Sequence, residues 1–595
     1  MNSIFKAAAF VTALFTYACV NINVAPQANT PTPEIYHAIQ HDPVEVQPQL
    51  IEAMLSNVIV AIPNPPPIAR DGVKMAALFS GGSVISNSPQ VYPGCAPAPS
   101  TWTGTTYYIN AGGNDSNPGT IGSPWKSFTK ALGAGTVMVA GDTLDVQDSG
   151  GAYPGYPTDF GGASPGLQTQ FSGFVRVQPA AGSSPILAGW NRLKDVKNIL
   201  WENLTFQALQ NGNAPFIGVE SDGSPNSTQI ILYNNTFQST DKTTALTWNA
   251  AQWNANSRSD AIAISGQNAS SNVFCISITH NTIQAVGANP AGGGDKTMMS
   301  LVGNNILAAD NILNILPDDG IDWAGANIEI ARNTITNQFP VADGNHNDNI
   351  QHQAGNCSPA TFCKDTGDVI DGNYGNELTV PAAQLPLYQQ CNMNGAQGID
   401  SFDDQIDGAV ITNNIVANCS TNGPIAFYSL TNSTIENNTT FKYVQNANDG
   451  GGCSILGVAH QSGVPNSSGD TLRNNICANI TIDGTVDVVT NSMTIDHNLI
   501  LLNGTIDATV SGTAHVYSAA GNYALGGGAT NTITSTANSG VFTAADLSTP
   551  LWNFNPIAGS PAIANGTLPT ASFSQPAYPN GAARTNPVNI GALGP

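Results

Sequence analysis

Five aspartates in the middle of the chain are spaced so that they could share one site. Asp318, Asp319 and Asp322 form the string Asp-Asp-Gly-Ile-Asp, Asp295 lies 24 residues before Asp319, and Asp348 lies 29 residues after it. Carboxylates held within a few ångströms of one another either raise one another's pKa or bind a cation. A site made only of oxygen ligands suits Ca²⁺. We therefore expect a calcium site among these aspartates, the alternative being an exposed acidic turn cluster.

Two histidines close to these aspartates could supply a base. His346 and His352 lie in the string Asn345-His-Asn-Asp-Asn-Ile-Gln-His352, and the chain has only 8 histidines in all. Histidine has an unperturbed pKa near 6.5, and a carboxylate such as Asp348 can orient its ring. We name His346, His352, Asp348 and Arg332 as candidate catalytic residues, and a structural histidine bonded to an asparagine turn as the alternative.

Paired carboxyl groups could also hydrolyse a glycosidic bond without any other base. An inverting glycosidase uses two carboxyl groups about 6.5–9.5 Å apart, one as acid and one as the base that activates water. Asp319 could form such a pair with Asp348 or with Asp322.

Short asparagine-rich strands recur through the same region and predict the elements that position these residues. The intervals 281→305, 414→438 and 475→498 are 24, 24 and 23 residues, a period typical of stacked supersecondary units. An asparagine at the bend after a strand can adopt left-handed backbone angles and can hydrogen-bond its copy in the next coil. The pattern predicts an all-β solenoid, a right-handed parallel β-helix. The recurring pairs are Asn234-Asn235, His280-Asn281, Asn304-Asn305, Arg332-Asn333, Asn413-Asn414, Asn437-Asn438, Asn474-Asn475 and His497-Asn498.

A second repeat runs beside the asparagines and sets the direction of the side chains. In each copy an isoleucine is flanked by polar or small residues, so the isoleucine should point into the core while its neighbours line an outer face. Stacked coils lie about 4.8 Å apart, so Asp319 and Asp348 should be neighbours. The copies are Asp319-Gly-Ile-Asp322, Asp348-Asn-Ile-Gln351, Gln397-Gly-Ile-Asp400 and Gly423-Pro-Ile-Ala426.

Composition limits the partners of the chain. The net charge is −23, with a pI near 4.4. Nucleic acid and anionic membranes require basic patches, so neither is expected as a partner. An acidic polysaccharide would also be repelled unless a cation intervened. We expect no membrane span and a monomer.

The first 22 residues resemble a secretory signal peptide. Lys6 precedes an apolar run that ends near Cys19 and is too short to span a bilayer comfortably. Cys19 could instead carry a lipid, although Tyr17 fits that pattern poorly. The other eight cysteines form an even number, which favours disulfides in an exported chain. We expect a secreted or cell-surface protein.

The rest of the chain divides into a leader and the solenoid. Residues 23–104 are rich in Pro, Asn and Ala and predict a linker or irregular leader. Residues 105–595 predict the β-helix, with a short capping helix near its start. We further expect a loop insertion at about 352–396, whose Tyr374 and Tyr388 could stack on sugar rings, and a closing segment at about 505–595.

Both ends of the predicted solenoid carry a family resemblance. The strings in 106–120, 124–132 and 141–146, with 553–566 near the end, resemble those of secreted pectate-lyase-like proteins. That resemblance implies a right-handed parallel β-helix but no single reaction, because lyases, hydrolases, epimerases and adhesins share it.

The Asp-Asp-Gly-Ile-Asp string resembles the Asp-Asp-Gly-Trp-Asp calcium motif of family 9 pectate lyases. Carried over residue by residue, this implies Asp295, Asp318, Asp319 and Asp322 as calcium ligands. The sequence departs from the motif at the catalytic lysine, because the best alignment places Gln351 there, and a neutral amide cannot abstract a proton.

These observations favour a calcium-dependent lyase that cleaves a uronate-containing glycan by β-elimination. Two alternatives stay open: an inverting glycoside hydrolase that uses paired aspartates, and a non-catalytic surface or adhesion protein whose acidic turns are structural.

Overall fold

The computed structural model of the chain is mostly short strands wound into stacked coils. The described residues lie within one compact unit that spans Lys74–Pro595. They are 89–148, 153, 169–188, 191–207, 216–221, 226–239, 242–256, 260–266, 272–286, 297–338, 347–353, 364–376, 397–402, 405–418, 424–442, 453–456, 464–477, 480–482, 491–500, 506–510, 513–516, 523–525, 532–533, 542–544 and 553–556.

The first half of the described chain contains the helices and the longest strands. The helices are α1 Phe128–Leu132, α2 Ala250–Asn256 and a 3₁₀ turn at Ala245–Thr247. The strands are β1 Thr106–Ile109, β2 Thr143–Val146, β3 Gln170–Pro179, β4 Ile186–Ala188, β5 Asn191–Lys194, β6 Lys197–Glu202, β7 Thr205–Gln207, β8 Ile217–Ser221, β9 Ser227–Tyr233, β10 Thr236–Gln238, β11 Ile262–Gly266, β12 Val273–Thr279, β13 Thr282–Gln284, β14 Thr297–Ala309, β15 Ile312–Leu316, β16 Asp319–Ala331 and β17 Thr334–Gln338.

The later strands are shorter and continue the same coils. They are β18 Ile350–His352, β19 Lys364–Thr366, β20 Val369–Asp371, β21 Tyr374–Asn376, β22 Ile399–Ser401, β23 Gln405–Asp407, β24 Val410–Thr412, β25 Ile415–Asn418, β26 Ile425–Tyr428, β27 Leu430–Thr431, β28 Thr434–Glu436, β29 Thr439–Lys442, β30 Cys453–Leu456, β31 Thr471–Arg473, β32 Ile476–Cys477, β33 Ile480–Ile482, β34 Thr494–Asp496, β35 Leu499–Ile500, β36 Ile506–Val510, β37 Thr513–Val516, β38 Tyr523–Leu525, β39 Thr532–Ile533, β40 Phe542–Ala544 and β41 Asn553–Pro556.

The strands form stacked parallel ladders. The described strands form one 23-stranded sheet, one 13-stranded sheet and two smaller ones, and their pairings are parallel except for β36 with β37 and β40 with β41. The 23-stranded sheet bends along its length, because strands such as β14 and β16 each pair at their two ends with different short strands. The predicted all-β parallel β-helix is therefore confirmed.

One corner of the coils is made by left-handed residues. Asn198, Gln229, Cys275, Asn305 and Asn327 are successive corner positions, because their neighbours pair in register, and their φ angles lie between 52° and 61°. Asparagine is among the residues that tolerate this conformation most easily. Asn305 therefore turns a corner within β14 and is not a member of the asparagine ladder in which we placed it.

The asparagine ladder occupies another corner, where two consecutive residues of each coil have different roles. The first residue of each pair is left-handed, as in Asn413 with φ 57°. The second is buried, and its side chain accepts from the preceding rung and donates to the next, as Asn414 Nδ2 does to Asn438 Oδ1 at 3.0 Å. The ladder members are Asn235, Asn281, Asn311, Asn333, Asn373, Asn414, Asn438, Asn475 and Asn498.

Two predicted boundaries differ from the structure. Within the predicted insertion at 352–396, residues 364–376 form β19, β20 and β21, which pair in register with neighbouring coils. Tyr374 is 2% exposed and is therefore core, whereas Tyr388 lies outside the described residues. The leader predicted at 23–104 also joins the fold from residue 89 onwards, because Cys95 forms a disulfide with Cys275.

Other predictions fall partly or wholly outside the described residues. The signal peptide and Cys19 lie there, as does most of the closing segment at 505–595. Helix α1 is present and buries Phe128 and Leu132 against the core; its capping role stays a prediction. A search of the described residues finds no helix that is long and apolar enough to cross a membrane.

Candidate active site

The isoleucine repeat sets which side chains point outwards on one sheet. Ile321, Ile350, Ile399 and Ile425 pair in register and are at most 1% exposed, so the predicted inward row is confirmed. The next residues on three of these strands, Asp322, Gln351 and Asp400, also pair in register. Because side chains alternate along a strand, these three form a row on the outer face of the sheet, the outward row, in which Asp322 and Asp400 are at most 3% exposed.

A carboxyl cluster lies where β16 and β18 begin. Burial raises the pKa of Asp319 well above its ordinary value, and the carboxylates of Asp322, Asp318 and Asp348 raise it further. The backbone N–H of Asp348 opposes this effect, since it donates to Asp319 Oδ1 at 2.7 Å. The predicted proximity of Asp319 and Asp348 is therefore confirmed, and the charges of the described residues that act on Asp319 are all negative.

Amide side chains fix the backbone around the cluster. Gln338 Nε2 donates to the main-chain oxygens of Asp318, at 2.9 Å, and Asp348, at 2.7 Å. Gln338 Oε1 accepts from Asn349 Nδ2 at 2.6 Å. Gln353 Nε2 donates to Asp322 Oδ2 at 2.7 Å. Neutral amide side chains therefore hold the backbone and one carboxylate of the cluster.

The carboxyl cluster has the donor chemistry of a calcium site but lacks part of the predicted ligand set. Carboxylate oxygens are the ligands that Ca²⁺ prefers. Within the described ranges, however, no three His, Cys, Asp or Glu side chains converge closely enough to hold a metal ion. Asp295 lies outside those ranges, and Thr297, two residues later, pairs with Asp319. Asp318, Asp319 and Asp322 therefore do not form a metal site by themselves.

His352 lies on the inward side of β18, among core side chains. It is 1% exposed and packs edge-on against Trp323, with ring centroids 5.2 Å apart. His352 Nε2 lies 2.6 Å from Asp365 Oδ2, and Nδ1 lies 3.2 Å from Ser401 Oγ. Asp365 Oδ2 also accepts from the N–H of Gly325 at 2.7 Å. This Ser-His-Asp arrangement is enclosed, and it links three coils of the solenoid.

A second aspartate extends the enclosed network. Burial, and to a smaller extent the nearby Asp365, raise the pKa of Asp368 to about 8. Asp368 accepts from the N–H of Ile328 at 2.9 Å and from Trp323 Nε1 at 3.4 Å. These contacts serve the packing of β16 against β20 and lie on the opposite side of β16 from the outward row.

The other predicted catalytic residues are placed apart from the carboxyl cluster or outside the described residues. Arg332 lies beyond the far end of β16, where its guanidinium pairs with Asp310 at 2.9 Å. Among the described residues, the charges that act on Arg332 are Asp310, Asp371 and Glu329, none of which belongs to the cluster. His346 lies outside the described residues.

Sequence reasoning missed Asp400 and Gln353 as members of the site. Asp400 is not among the predicted site residues, yet it occupies the outward row. The isoleucine repeat contained the signal, because Asp400 follows Ile399 as Asp322 follows Ile321. Gln353 had no such signal, since its contact with Asp322 crosses 31 residues.

Comparisons with known proteins find similarity of fold only. No family model matches the chain, and no curated protein matches it. Among solved structures, the complex of XylC with xylose is 11% identical with a TM-score of 0.37, covering 67% of this chain and 83% of that one. A rhamnogalacturonan lyase is 14% identical with a TM-score of 0.33, covering 82% and 96%. Pectate lyase Pel9A is 13% identical with a TM-score of 0.27, covering 83% and 97%. The assignment of a parallel β-helix therefore rests on the register of the chain's own strands.

Proposed function

We propose that the chain is a polysaccharide-cleaving enzyme that acts on a uronate-containing glycan by β-elimination, with Ca²⁺ held at the carboxyl cluster. One observation carries the proposal. Asp319 is 2% exposed and faces the carboxylates of Asp318, Asp322 and Asp348. A buried group surrounded by like charges must hold a proton or a cation. A cation there would also overcome the repulsion between an acidic chain and an acidic glycan.

The proposed division of roles follows from which residues face outwards. Asp295, Asp318, Asp319 and Asp322 would hold Ca²⁺, which when bound would neutralise the uronate carboxylate and acidify the proton at C5. A base must then take that proton, and Gln351 on the outward row cannot do so. We assign the base to His346, because His352 points inwards and Arg332 pairs with Asp310.

Hydrolysis is a second candidate, favoured by the outward row. Asp322 and Asp400 lie two rungs apart with Gln351 between them. Rungs spaced about 4.7–4.9 Å put their Cα atoms roughly 9.5 Å apart. Carboxyl groups about 6.5–9.5 Å apart leave room for a water between acid and base, as in inverting glycosidases. Asp400 would then be the base and Asp322 the acid, or the reverse.

Product analysis separates these chemistries. The protein is incubated with polygalacturonate, alginate and neutral glycans, in Ca²⁺ or in chelator. An unsaturated product that absorbs in the ultraviolet and requires Ca²⁺ supports elimination. New reducing ends without that absorbance support hydrolysis. Absence of both across the panel contradicts both enzymatic proposals and favours a non-catalytic surface protein.

Two variants locate the reaction. Asp319→Asn should abolish elimination and weaken Ca²⁺ binding measured by calorimetry. Asp407→Asn is the matched control, because Asp407 lies in a separate three-stranded sheet and pairs with Lys364 at 3.0 Å. Equal loss of activity in both variants would show that the carboxyl cluster is not the site.

A further inference from the structure

An N-terminal segment, residues 89–104, runs along the outside of the coils; we call it the strap. It contains no helix or strand. The guanidinium of Arg176 lies over the ring of Trp102, with Arg176 Cζ 5.0 Å from the ring centroid. At the other end, Gln90 Oε1 accepts from Arg332 Nη2 at 3.1 Å. Arg176 belongs to an early coil and Arg332 to a much later one, so the strap runs across the stack.

The strap covers apolar side chains that would otherwise face solvent. Leu200 and Ile231 pair in register with Arg176 on the outer row of the sheet, and both are at most 2% exposed. With Phe174 they form a small cluster separate from the main core, against which Ala98 and Trp102 pack. Further along, Tyr92 of the strap packs on a second such cluster of Leu307, Ala309 and Ala331. The strap therefore acts as the cover of an apolar stripe.

The stripe is covered without the backbone pairing that holds the rest of the fold. Prolines at positions 89, 93, 97 and 99 remove N–H donors from the strap. The polar contacts that hold it are mainly side-chain ones, such as Ala96 N–H to Gln229 Oε1 at 3.0 Å and Ser277 Oγ to the main-chain oxygen of Gln90. Such a segment depends strongly on a covalent tether.

The tether is the disulfide between Cys95 and Cys275, which are 180 residues apart. Cys275 occupies a left-handed corner, with φ 56°, where the neighbouring rungs have Gln229 and Asn305. A cysteine gains nothing from that backbone conformation, whereas asparagine tolerates it. Cys275 therefore stands where asparagine would suit the backbone better, and its side chain holds the strap instead. Cys95 is only partly buried, so a reductant can reach the bond.

We propose that the strap is a redox-controlled cover whose closure depends on the Cys95–Cys275 disulfide. A dithiol reductant would attack this bond through a mixed disulfide, releasing two protein thiols and becoming oxidised to its own disulfide. The strap then leaves the apolar stripe, and Phe174, Leu200 and Ile231 become exposed. The fold is completed only in an oxidising compartment, where the bond can form.

Hydrogen exchange of the strap tests this proposal. In the oxidised full-length protein, the Ala96 amide should be protected through its bond to Gln229. After reduction by dithiothreitol, or in Cys95→Ser, we expect exchange at Ala96 to be at least about tenfold faster, with increased binding of an apolar-surface dye. Cys477→Ser is the matched control, because Cys477 also belongs to a disulfide and its loss should leave Ala96 protected.

The result that overturns the proposal is equally direct. If alkylation and mass analysis show free thiols at Cys95 and Cys275 while Ala96 keeps its protection, the disulfide does not control the strap. The wild-type protein reduced after folding gives this answer even if Cys95→Ser fails to fold. Loss of protection in Cys477→Ser to the same extent would also contradict the proposal.

Discussion

His352 Nε2 and Asp365 Oδ2 lie 2.6 Å apart inside the solenoid, and the two residues belong to strands β18 and β19. We predict that His352→Ala and Asp365→Ala each destabilise the fold, by about 3–5 kcal/mol, because removing one partner of a buried pair leaves the other uncompensated. Thermal unfolding followed by circular dichroism measures this effect.

The same variants separate a structural role from a catalytic one. We expect the folded fraction of His352→Ala to keep its activity per molecule. His497→Asn is the control, because His497 lies in a partly exposed left-handed turn position that asparagine tolerates. If His352→Ala is stable but inactive, His352 is again a candidate for the catalytic base.

The asparagine ladder gives a second prediction, at Asn414. Its Nδ2 donates to the main-chain oxygen of Ile370 at 2.8 Å and to Asn438 Oδ1 at 3.0 Å, and its Oδ1 accepts from the N–H of Asn373 at 2.9 Å. Asn414→Ala leaves buried backbone groups without these partners, each costing about 1–3 kcal/mol. We expect a clear fall in the thermal midpoint.

An exposed asparagine provides the control for Asn414→Ala. Asn234→Gly keeps a residue suited to its φ of 51° and removes only the exposed bond to Asn203, so its thermal midpoint should barely change. If both variants lose the same stability, the buried ladder contributes no more than an ordinary turn asparagine.

The inward isoleucines and the asparagine turns show how much of the fold can be predicted from the sequence. The register of Ile321 with Ile350 follows from alternation, because a strand has a fixed period of two. Asn311 and Asn373 could not be found by period, since successive ladder members are 22, 40 and 41 residues apart at 311→333, 333→373 and 373→414. The coils differ in loop length, and the asparagine ladder continues from coil to coil in spite of these differences.

Only those residues of the candidate site that follow the alternation of side chains along a strand could be predicted from the sequence. Asp319 and Asp348 lie at matching positions of two coils, so their contact followed from the repeat. His352 was assigned to the site because it is close to Asp348 in sequence. The strand sends His352 inwards, however, because it lies two residues after the inward Ile350.

Asp368 predicts a dependence of stability on pH. Its pKa is raised to about 8 in the folded protein by burial and by Asp365, whereas the ordinary value is 3.8. Between these values the folded state binds the extra proton, so this contribution to stability is present at low pH and lost as pH rises towards 8. Asp368→Asn mimics the neutral acid and should flatten the fall in thermal midpoint between pH 4 and 8, where each pH unit contributes at most about 1.4 kcal/mol.

The control for this pH dependence is an aspartate shifted in the other direction. Burial raises the pKa of Asp407, but hydrogen bonds from Thr431, Asn432 and Lys364 outweigh it and lower the pKa overall. Asp407→Asn should therefore remove a stabilisation that is present at neutral pH, and it should alter the slope of stability against pH only on the acid side. A thermal midpoint in Asp368→Asn that falls with pH as steeply as in the wild type would refute the prediction.

Gln351 offers a test of which reaction the outward row supports. It lies in register between Asp322 and Asp400, where the resemblance to family 9 pectate lyases places a catalytic lysine. If the row binds a uronate for elimination, Gln351→Lys supplies a general base, and such a base contributes about 10²–10⁴-fold to a rate. We expect at least about a tenfold rise in ultraviolet-absorbing product, with a new alkaline limb in the pH profile.

A lysine elsewhere on the same row tests whether position matters. Ser300 pairs in register with Asp322 on the preceding rung, so Ser300→Lys adds the same charge two coils away from Gln351. Only Gln351→Lys should accelerate elimination. If hydrolysis is the reaction, the lysine at 351 instead displaces the water between Asp322 and Asp400, and reducing-end release should fall while Ser300→Lys retains it. Equal effects of the two lysines on either product would remove the outward row from the catalytic site.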